Sequence, residues 1–392
     1  MNFGIVYISL LILVLAFGFL GSGKYLKIYF FITDFLISLP AFFVRPISFQ
    51  YFDTLRFSDL LNQIRGVTHV SGPIGGLQWA LQNSEYHNQP LVAGYLWLFS
   101  LLKYNGFLFG VTTFIFLMFL SGILLNMKKV YSYTSINLIV VKIITLMTFN
   151  LFFQIEGIRN FLSFMIFAFA LTKDLFRYAK SDKLIAYVLY VIAILIHPSV
   201  TIFIIIRLII SVRYKRIFNT NFYDFFWILV FLLYNHFIGV IVSILQKFSN
   251  ISFIEYIYLK SQNYLYGQSN YDSYASSNEI FFTSLILGVL ILEFILFLRI
   301  TERKNVSESV YVTNYLYSIA FTIGSFQSTQ VYLRAIEMIL FLSIPLKLKL
   351  FSIDKIRSKK IYIVFLYKIL IVSFAIIAFV FWYRATYVKV LV

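Results

Sequence analysis

Two polar residues near the middle of the chain carry its clearest chemical signal. Arg159 lies in Gln154-Ile155-Glu156-Gly157-Ile158-Arg159-Asn160, and His197 in Ile196-His197-Pro198-Ser199, each at the end of an apolar run. Polar groups at such depth in apolar surroundings are costly to keep and mark a use. A guanidinium fork binds paired anionic oxygens in bidentate fashion, and an imidazole carries a proton near neutral pH. Glu156 precedes Arg159 by one helical turn, where it is placed to orient that arginine.

Further candidates lie in segments that fall on the same side. Asp53 opens an amphipathic stretch that continues through Arg56, Asp59 and Arg65, and Glu85 and His87 follow. Arg334 stands after Tyr332 and three residues before Glu337, so an internal ion pair competes with a ligand role. Arginines near aromatic side chains at a membrane surface suit a lipid-linked diphosphate. Sugars attached to it would stack on a Tyr-rich stretch holding Tyr256, Tyr258, Tyr264, Tyr266, Tyr271 and Tyr274.

The elements that must position these residues are membrane helices. Of the 392 residues, 60% are hydrophobic, 20% aromatic and only 12% charged, a balance foreign to a soluble domain. The net charge of +17 invites a nucleic-acid reading, but the placement of the charges argues against it. Twenty of the 33 Lys and Arg fall in six short loops between apolar runs, among them Lys128 and Lys129, and Lys173, Arg177, Lys180 and Lys183. That is the positive-inside pattern, so the basic charge reports topology and anionic lipid. The chain has no cysteine, which excludes disulfides and thiolate metal sites. No HExxH or paired-carboxylate metal motif occurs, so a metal-free and cofactor-free mechanism is expected.

The pattern predicts an all-α polytopic membrane protein, one membrane domain over residues 1–392 with about twelve spans. The expected helices lie near 3–20, 28–44, 106–126, 134–153, 160–176, 184–197, 199–212, 222–245, 280–298, 309–326, 335–351 and 361–383. Two longer extracytoplasmic loops are expected near 44–105 and 246–278. Within the first, residues 51–65 read as an interfacial amphipathic helix, 72–76 as a glycine hinge, and 90–103 as a re-entrant or surface-lying helix. With the basic loops inside, Arg159, His197, Asp53, Arg56 and Arg334 fall on the outer side. Asp34, Lys142, Arg207, Glu293 and Lys368 lie within spans, where mutual pairing or snorkelling accounts for them. Asn235-His236 reads as an interhelical hydrogen-bond pair.

Arg159-Asn160-Phe161-Leu162-Ser163, an apolar helix, a basic loop, a second helix and His197-Pro198-Ser199 together resemble the signature of EpsG-like proteins. These belong with the Wzy-type polymerases of bacterial surface polysaccharides. Asp53 and Phe57, then Pro90, Leu91, Gly94 and Tyr95, extend the resemblance over roughly residues 50 to 345. Where that family tends to carry Tyr after the Asp, this chain has Phe57. Where the family tends to carry Glu before the Pro-led segment, it has Gln89.

The resemblance implies an enzyme of the bacterial cytoplasmic membrane with its site facing outward. It would transfer a growing glycan from undecaprenyl diphosphate onto a new lipid-linked repeat unit of O antigen, capsule or exopolysaccharide. It implies that Arg159, Arg334 and Arg56 bind the diphosphate, that His197 or Asp53 deprotonates the acceptor hydroxyl, and that Glu156 orients Arg159. Its expected partners are the lipid-linked oligosaccharide, membrane lipid and a chain-length regulator protein, with no nucleic acid. Two rivals carry different expectations: a GT-C-type transferase using a lipid-phosphate sugar, and a non-enzymatic flippase or transporter of the same oligosaccharide.

Overall fold

The computed structural model describes residues 3–18, 25–44, 53–214, 220–250, 254–255, 258–259, 262, 277–301, 305–353 and 359–386. The described residues are helical, with no strand among them. They form two compact units, Met1–Val200 with Ile344–Val392, and Thr201–Ser343.

The first unit opens with α1 (Phe3–Gly18) and α2 (Leu26–Phe42), followed by α3 (Asp53–Gln82) and α4 (Pro90–Ser100). Next come α5 (Gly106–Tyr131), α6 (Ser135–Thr148), α7 (Leu151–Glu156), α8 (Ile158–Leu175) and α9 (Asp182–Ile196), then a short 3₁₀ turn over Pro198–Val200. In the second unit lie α10 (Thr201–Arg213), α11 (Thr220–Leu232), α12 (Tyr234–Lys247), α13 (Ser277–Ile300), α14 (Val306–Gly324) and α15 (Thr329–Leu342). The chain then returns to the first unit with α16 (Ile344–Phe351) and α17 (Lys359–Ala385).

Among the described residues, three helices are long and apolar enough to cross a membrane: Gly106–Tyr131, Ser277–Ile300 and the segment Tyr362–Ala385 of α17. A fourth crossing would need the bent pair Phe222–Leu232 and Tyr234–Lys247, which meet at 75°. By this measure three or four of the roughly twelve expected spans qualify among the described residues, and the other apolar helices there are shorter. The apolar runs are helical as expected, but several are cut. Asn150 accepts the amide proton of Phe152 and starts α7, so the expected helix 134–153 breaks after Thr148. The run 222–245 breaks at Leu233, and 335–351 breaks at Ser343. Each break shortens a run that composition alone reads as continuous. The stretch near 44–105, expected as an outer loop, is largely helix in its described part, and most of 246–278 lies outside the described residues.

In the first unit the core is built on α5, which packs against both α2 and α8. Glycine permits the first of these contacts. Gly106 and Gly110, one turn apart, bring α5 against the end of α2, where a Cβ on Gly106 would collide with the Phe42 carbonyl and one on Gly110 with the Phe42 ring. This is the small-residue approach that drives helix association where no hydrophobic effect operates. A buried ion pair crosses the same unit: Lys142 on α6 donates to Asp34 on α2 at 2.6 Å and to the Thr33 hydroxyl at 3.1 Å. Its ammonium also lies 4.5 Å from the Phe30 centroid. Of the two expected explanations, mutual pairing and snorkelling, mutual pairing accounts for both of these charges.

The amphipathic stretch forms the first arm of α3, and Phe57, Leu60, Leu61 and Ile64 are buried at helical spacing. Gly72 breaks α3 with φ 74° and ψ 173°, which glycine alone adopts without strain. Ser71 and Thr68 then lie against Gly75 and Gly76, where a Cβ would clash. Trp97 of α4 donates to the Pro73 carbonyl at 3.0 Å and braces the bend. The second unit shows a similar close approach, with Gly324 of α14 pressed against the Phe231 and Leu232 carbonyls at the end of α11.

Candidate anion site

The first arm of α3 and the turn before α4 bring together residues far apart in sequence. The turn is a compact knot. Ser84 accepts the Tyr86 amide proton at 3.2 Å through its hydroxyl and that of His87 at 3.0 Å through its carbonyl. The Tyr86 carbonyl accepts from the Gln89 amide at 2.7 Å. Tyr86 and Gln89 therefore have a fixed spacing, and both are buried. The Tyr86 ring stacks on Phe57 of α3, with centroids 5.9 Å apart and planes 20° apart.

Two guanidiniums converge on Tyr86. Arg159, in the first turn of α8, lies over its ring at 4.2 Å from the centroid and donates to the Gln89 side-chain carbonyl at 2.9 Å. Arg56 donates to the Tyr86 hydroxyl at 2.9 Å. Arg56 also pairs with Asp53 at 3.0 Å and Glu85 at 3.4 Å. Burial raises the Tyr86 hydroxyl well above its ordinary pKa against the opposing pull of Arg159 and Arg56, so Tyr86 stays neutral.

The two arginines differ in what compensates them. Arg56 has two carboxylates. The hydrogen-bond and ring partners of Arg159 among the described residues are Gln89, Tyr86 and Phe57, all neutral. Its Nε is buried with no hydrogen-bond partner. Nearby in sequence, both side-chain polar atoms of Gln154 and the Asn160 side-chain oxygen are also buried without hydrogen-bond partners. A partly buried cation whose hydrogen-bond and ring partners are neutral, and which keeps an unused donor, has charge available for an anion.

Expectation and structure differ on what orients Arg159. Glu156 ends α7, Gly157 interrupts the helix with φ −91° and ψ 42°, and Arg159 belongs to α8. The one-turn geometry of a continuous helix is therefore lost, and the hydrogen bond of Arg159 goes instead to Gln89. Gly157 is suited to the break, since a Cβ there would lie 2.7 Å from the Phe161 ring. Arg65, grouped by sequence with the ligand-binding arginines, serves α4: it donates to the Ser100 carbonyl at 3.1 Å and the Leu102 carbonyl at 2.6 Å.

His197 follows the last residue of α9, and α9 packs antiparallel on α8. Arg159 near the start of α8 and His197 just past the end of α9 therefore share one end of this hairpin. The His197 Nδ1 accepts the Ser199 amide proton at 3.2 Å and lies 2.7 Å from the Ser199 hydroxyl. A backbone amide can only donate, so the neutral ring carries its proton on Nε2. Arg334 lies half-buried on α15 in the second unit, and Glu337 on the same helix is buried with no ion pair among the described residues.

The structure thus assembles Asp53, Arg56 and Arg159, together with Tyr86 and Gln89. Tyr86 was not singled out from the sequence, because a lone tyrosine in a polar turn has no pattern to mark it. No protein-family model matches this chain, and neither a curated protein nor a solved structure matches it.

Proposed function

We propose that this protein is a polysaccharide polymerase of the bacterial cytoplasmic membrane, a polytopic protein whose shorter apolar helices complete the crossings beyond those of Gly106–Tyr131, Ser277–Ile300 and Tyr362–Ala385, with its site on the outer face. The observation that carries the proposal is the Arg159 guanidinium, held on the Tyr86 ring with only neutral hydrogen-bond and ring partners among the described residues and so left with charge for an anion. The motif around Arg159 and His197, which resembles that of EpsG-like proteins, supplies the reaction class.

In this reading the hydroxyl of a new lipid-linked repeat unit attacks the anomeric carbon of the growing chain. The bond from that carbon to the diphosphate oxygen breaks, and undecaprenyl diphosphate leaves with the bonding electron pair. Arg159 and Arg56 stabilise the departing charge. The acceptor proton goes to Asp53, because His197 uses its Nδ1 lone pair on Ser199 and presents an Nε2–H, a donor suited to an anionic or sugar oxygen. Gln154 and Asn160, with unused polar atoms beside Arg159 in sequence, suit sugar hydroxyls. A chain-length regulator protein is the proposed protein partner.

The test is the surface-glycan ladder of cells carrying Arg159→Ala or Arg159→Lys. Arg159→Ala is expected to abolish long chains while single-unit glycan persists. Arg159→Lys keeps the charge without the fork and is expected to shorten the ladder. A normal ladder from Arg159→Ala overturns the proposal.

A further inference from the structure

At the turn between α8 and α9 the basic side chains divide into two groups. Lys173 and Arg177 are engaged locally, Lys173 with Asp182 at 2.7 Å and Arg177 with Asp174 at 3.3 Å. Asp182 also accepts the amide protons of Tyr178 and Ala179, at 2.8 and 2.9 Å, which fixes the shape of the turn. Lys129, Lys180 and Lys183 are exposed, and among the described residues no carboxylate pairs with any of them. Lys129 lies 5.6 Å from the ring centroid of Tyr178, itself 68% exposed, and Lys183 lies 5.6 Å from that of Tyr187.

This basic and aromatic end continues into an apolar stripe. Leu184, Tyr187, Val188, Val191 and Leu195 recur at helical spacing on one face of α9, and all are exposed. Lys183 stands at the edge of that face, so ammonium groups lie at one end and apolar side chains run away from them. Amphipathic Lys and Tyr at the head of an apolar strip match a lipid in both charge and polarity profile.

We propose that this face seats an anionic glycerophospholipid. Its phosphate headgroup would lie among Lys129, Lys180 and Lys183, and an acyl chain would run along the α9 stripe. The three uncompensated ammoniums select a net negative headgroup over a zwitterionic one, since each near-surface cation adds attraction to anionic lipid. The site is separate in sequence from Arg159 and does not depend on the polymerase reading.

The full chain, reconstituted in nanodiscs of phosphatidylcholine with a minor share of phosphatidylglycerol, is released and examined by native mass spectrometry. The parent protein is expected to retain phosphatidylglycerol in excess of its share of the bilayer. The triple variant Lys129→Ala, Lys180→Ala, Lys183→Ala is expected to lose at least about tenfold of that retention. The pair Val188→Asn and Val191→Asn, which leaves the lysines intact, should lower it too. The single variant Lys180→Glu changes an exposed residue of the turn and gives a second reading should the triple variant fold poorly. Equal retention of both lipids by the parent, or undiminished retention by Lys180→Glu and the triple variant, overturns the proposal. A dimer that the Val188→Asn and Val191→Asn pair dissolves would overturn it as well, assigning the stripe to a second copy of the chain.

Discussion

Arg159 rests on the ring of Tyr86, its guanidinium carbon 4.2 Å from the ring centroid, although the two residues lie on separate elements of the first unit. The same tyrosine accepts a hydrogen bond from Arg56 through its hydroxyl. One side chain therefore sets the separation of two cations that would otherwise repel each other.

The two ends of Tyr86 can be tested separately. Tyr86→Phe keeps the ring under Arg159 and removes the acceptor of Arg56, at a cost of about 1 kcal/mol or roughly fivefold in anion affinity. Tyr86→Leu removes both supports and should weaken binding by a further ~0.5–2 kcal/mol. Titrating inorganic diphosphate into the purified variants measures both steps. Identical affinities for the two variants would show that the ring does not hold Arg159.

Gln89 is the sole hydrogen-bond partner of Arg159 among the described residues, and it is buried. Gln89→Leu should cost about 1.5–3 kcal/mol, as expected for a hydrogen bond to a charged group. A thermal melt in detergent reads the change, and an unshifted midpoint would mean that Arg159 finds another acceptor.

Asp34 and Lys142 form a pair whose side chains are each 1% exposed. Removing one partner strands a buried charge, so Asp34→Ala or Lys142→Ala alone should destabilise by about 3–5 kcal/mol. The double variant Asp34→Leu, Lys142→Met should recover most of that loss. Unfolding midpoints of the three variants decide it, and strictly additive losses would contradict a direct pairing.

Acid should loosen the α8–α9 turn through Asp182. Burial acts to raise this carboxyl, but Lys173 and the Ala179 and Tyr178 amides outweigh it and hold the pKa below its ordinary value of 3.8. A depressed folded pKa gives stability that is present above the ordinary value and lost as pH falls through the folded one. The melting midpoint should therefore drop on acidification below about pH 4, and Asp182→Asn should flatten that part of the profile. An unchanged slope in the variant would remove Asp182 as its source.

Much of the helical layout is legible from the apolar runs, and the buried face of α3 follows from the spacing of Phe57, Leu60, Leu61 and Ile64. The breaks are less legible. Asn150 turns the chain inside a run whose hydropathy does not change, and Leu233 carries no breaker chemistry, whereas Gly157 falls between two expected runs and the break at Ser343 precedes Pro345, which lacks an amide to donate. Within the site, local spacing pointed from Arg159 to Glu156, three residues back. The partner is Gln89, 70 positions away, and such a contact exists only once α4 has docked. The two-arginine arrangement depends likewise on Phe57 and Tyr86 meeting across 29 residues.

The return of the chain to the first unit has a consequence for the order of synthesis. Trp382 on α17 donates to the Thr148 carbonyl at 2.9 Å, and Asn150 donates to the Thr386 hydroxyl at 3.1 Å. Both contacts brace the break that precedes α7 and Arg159. The ribosome delivers α17 only after the whole of the second unit, so this bracing arrives some 200 residues after the arginine it supports. Until then the break is held only from within the nascent first unit, by Phe149 packed on Phe116 and Phe161, and a chain stalled before α17 would hold the site's residues without their final support.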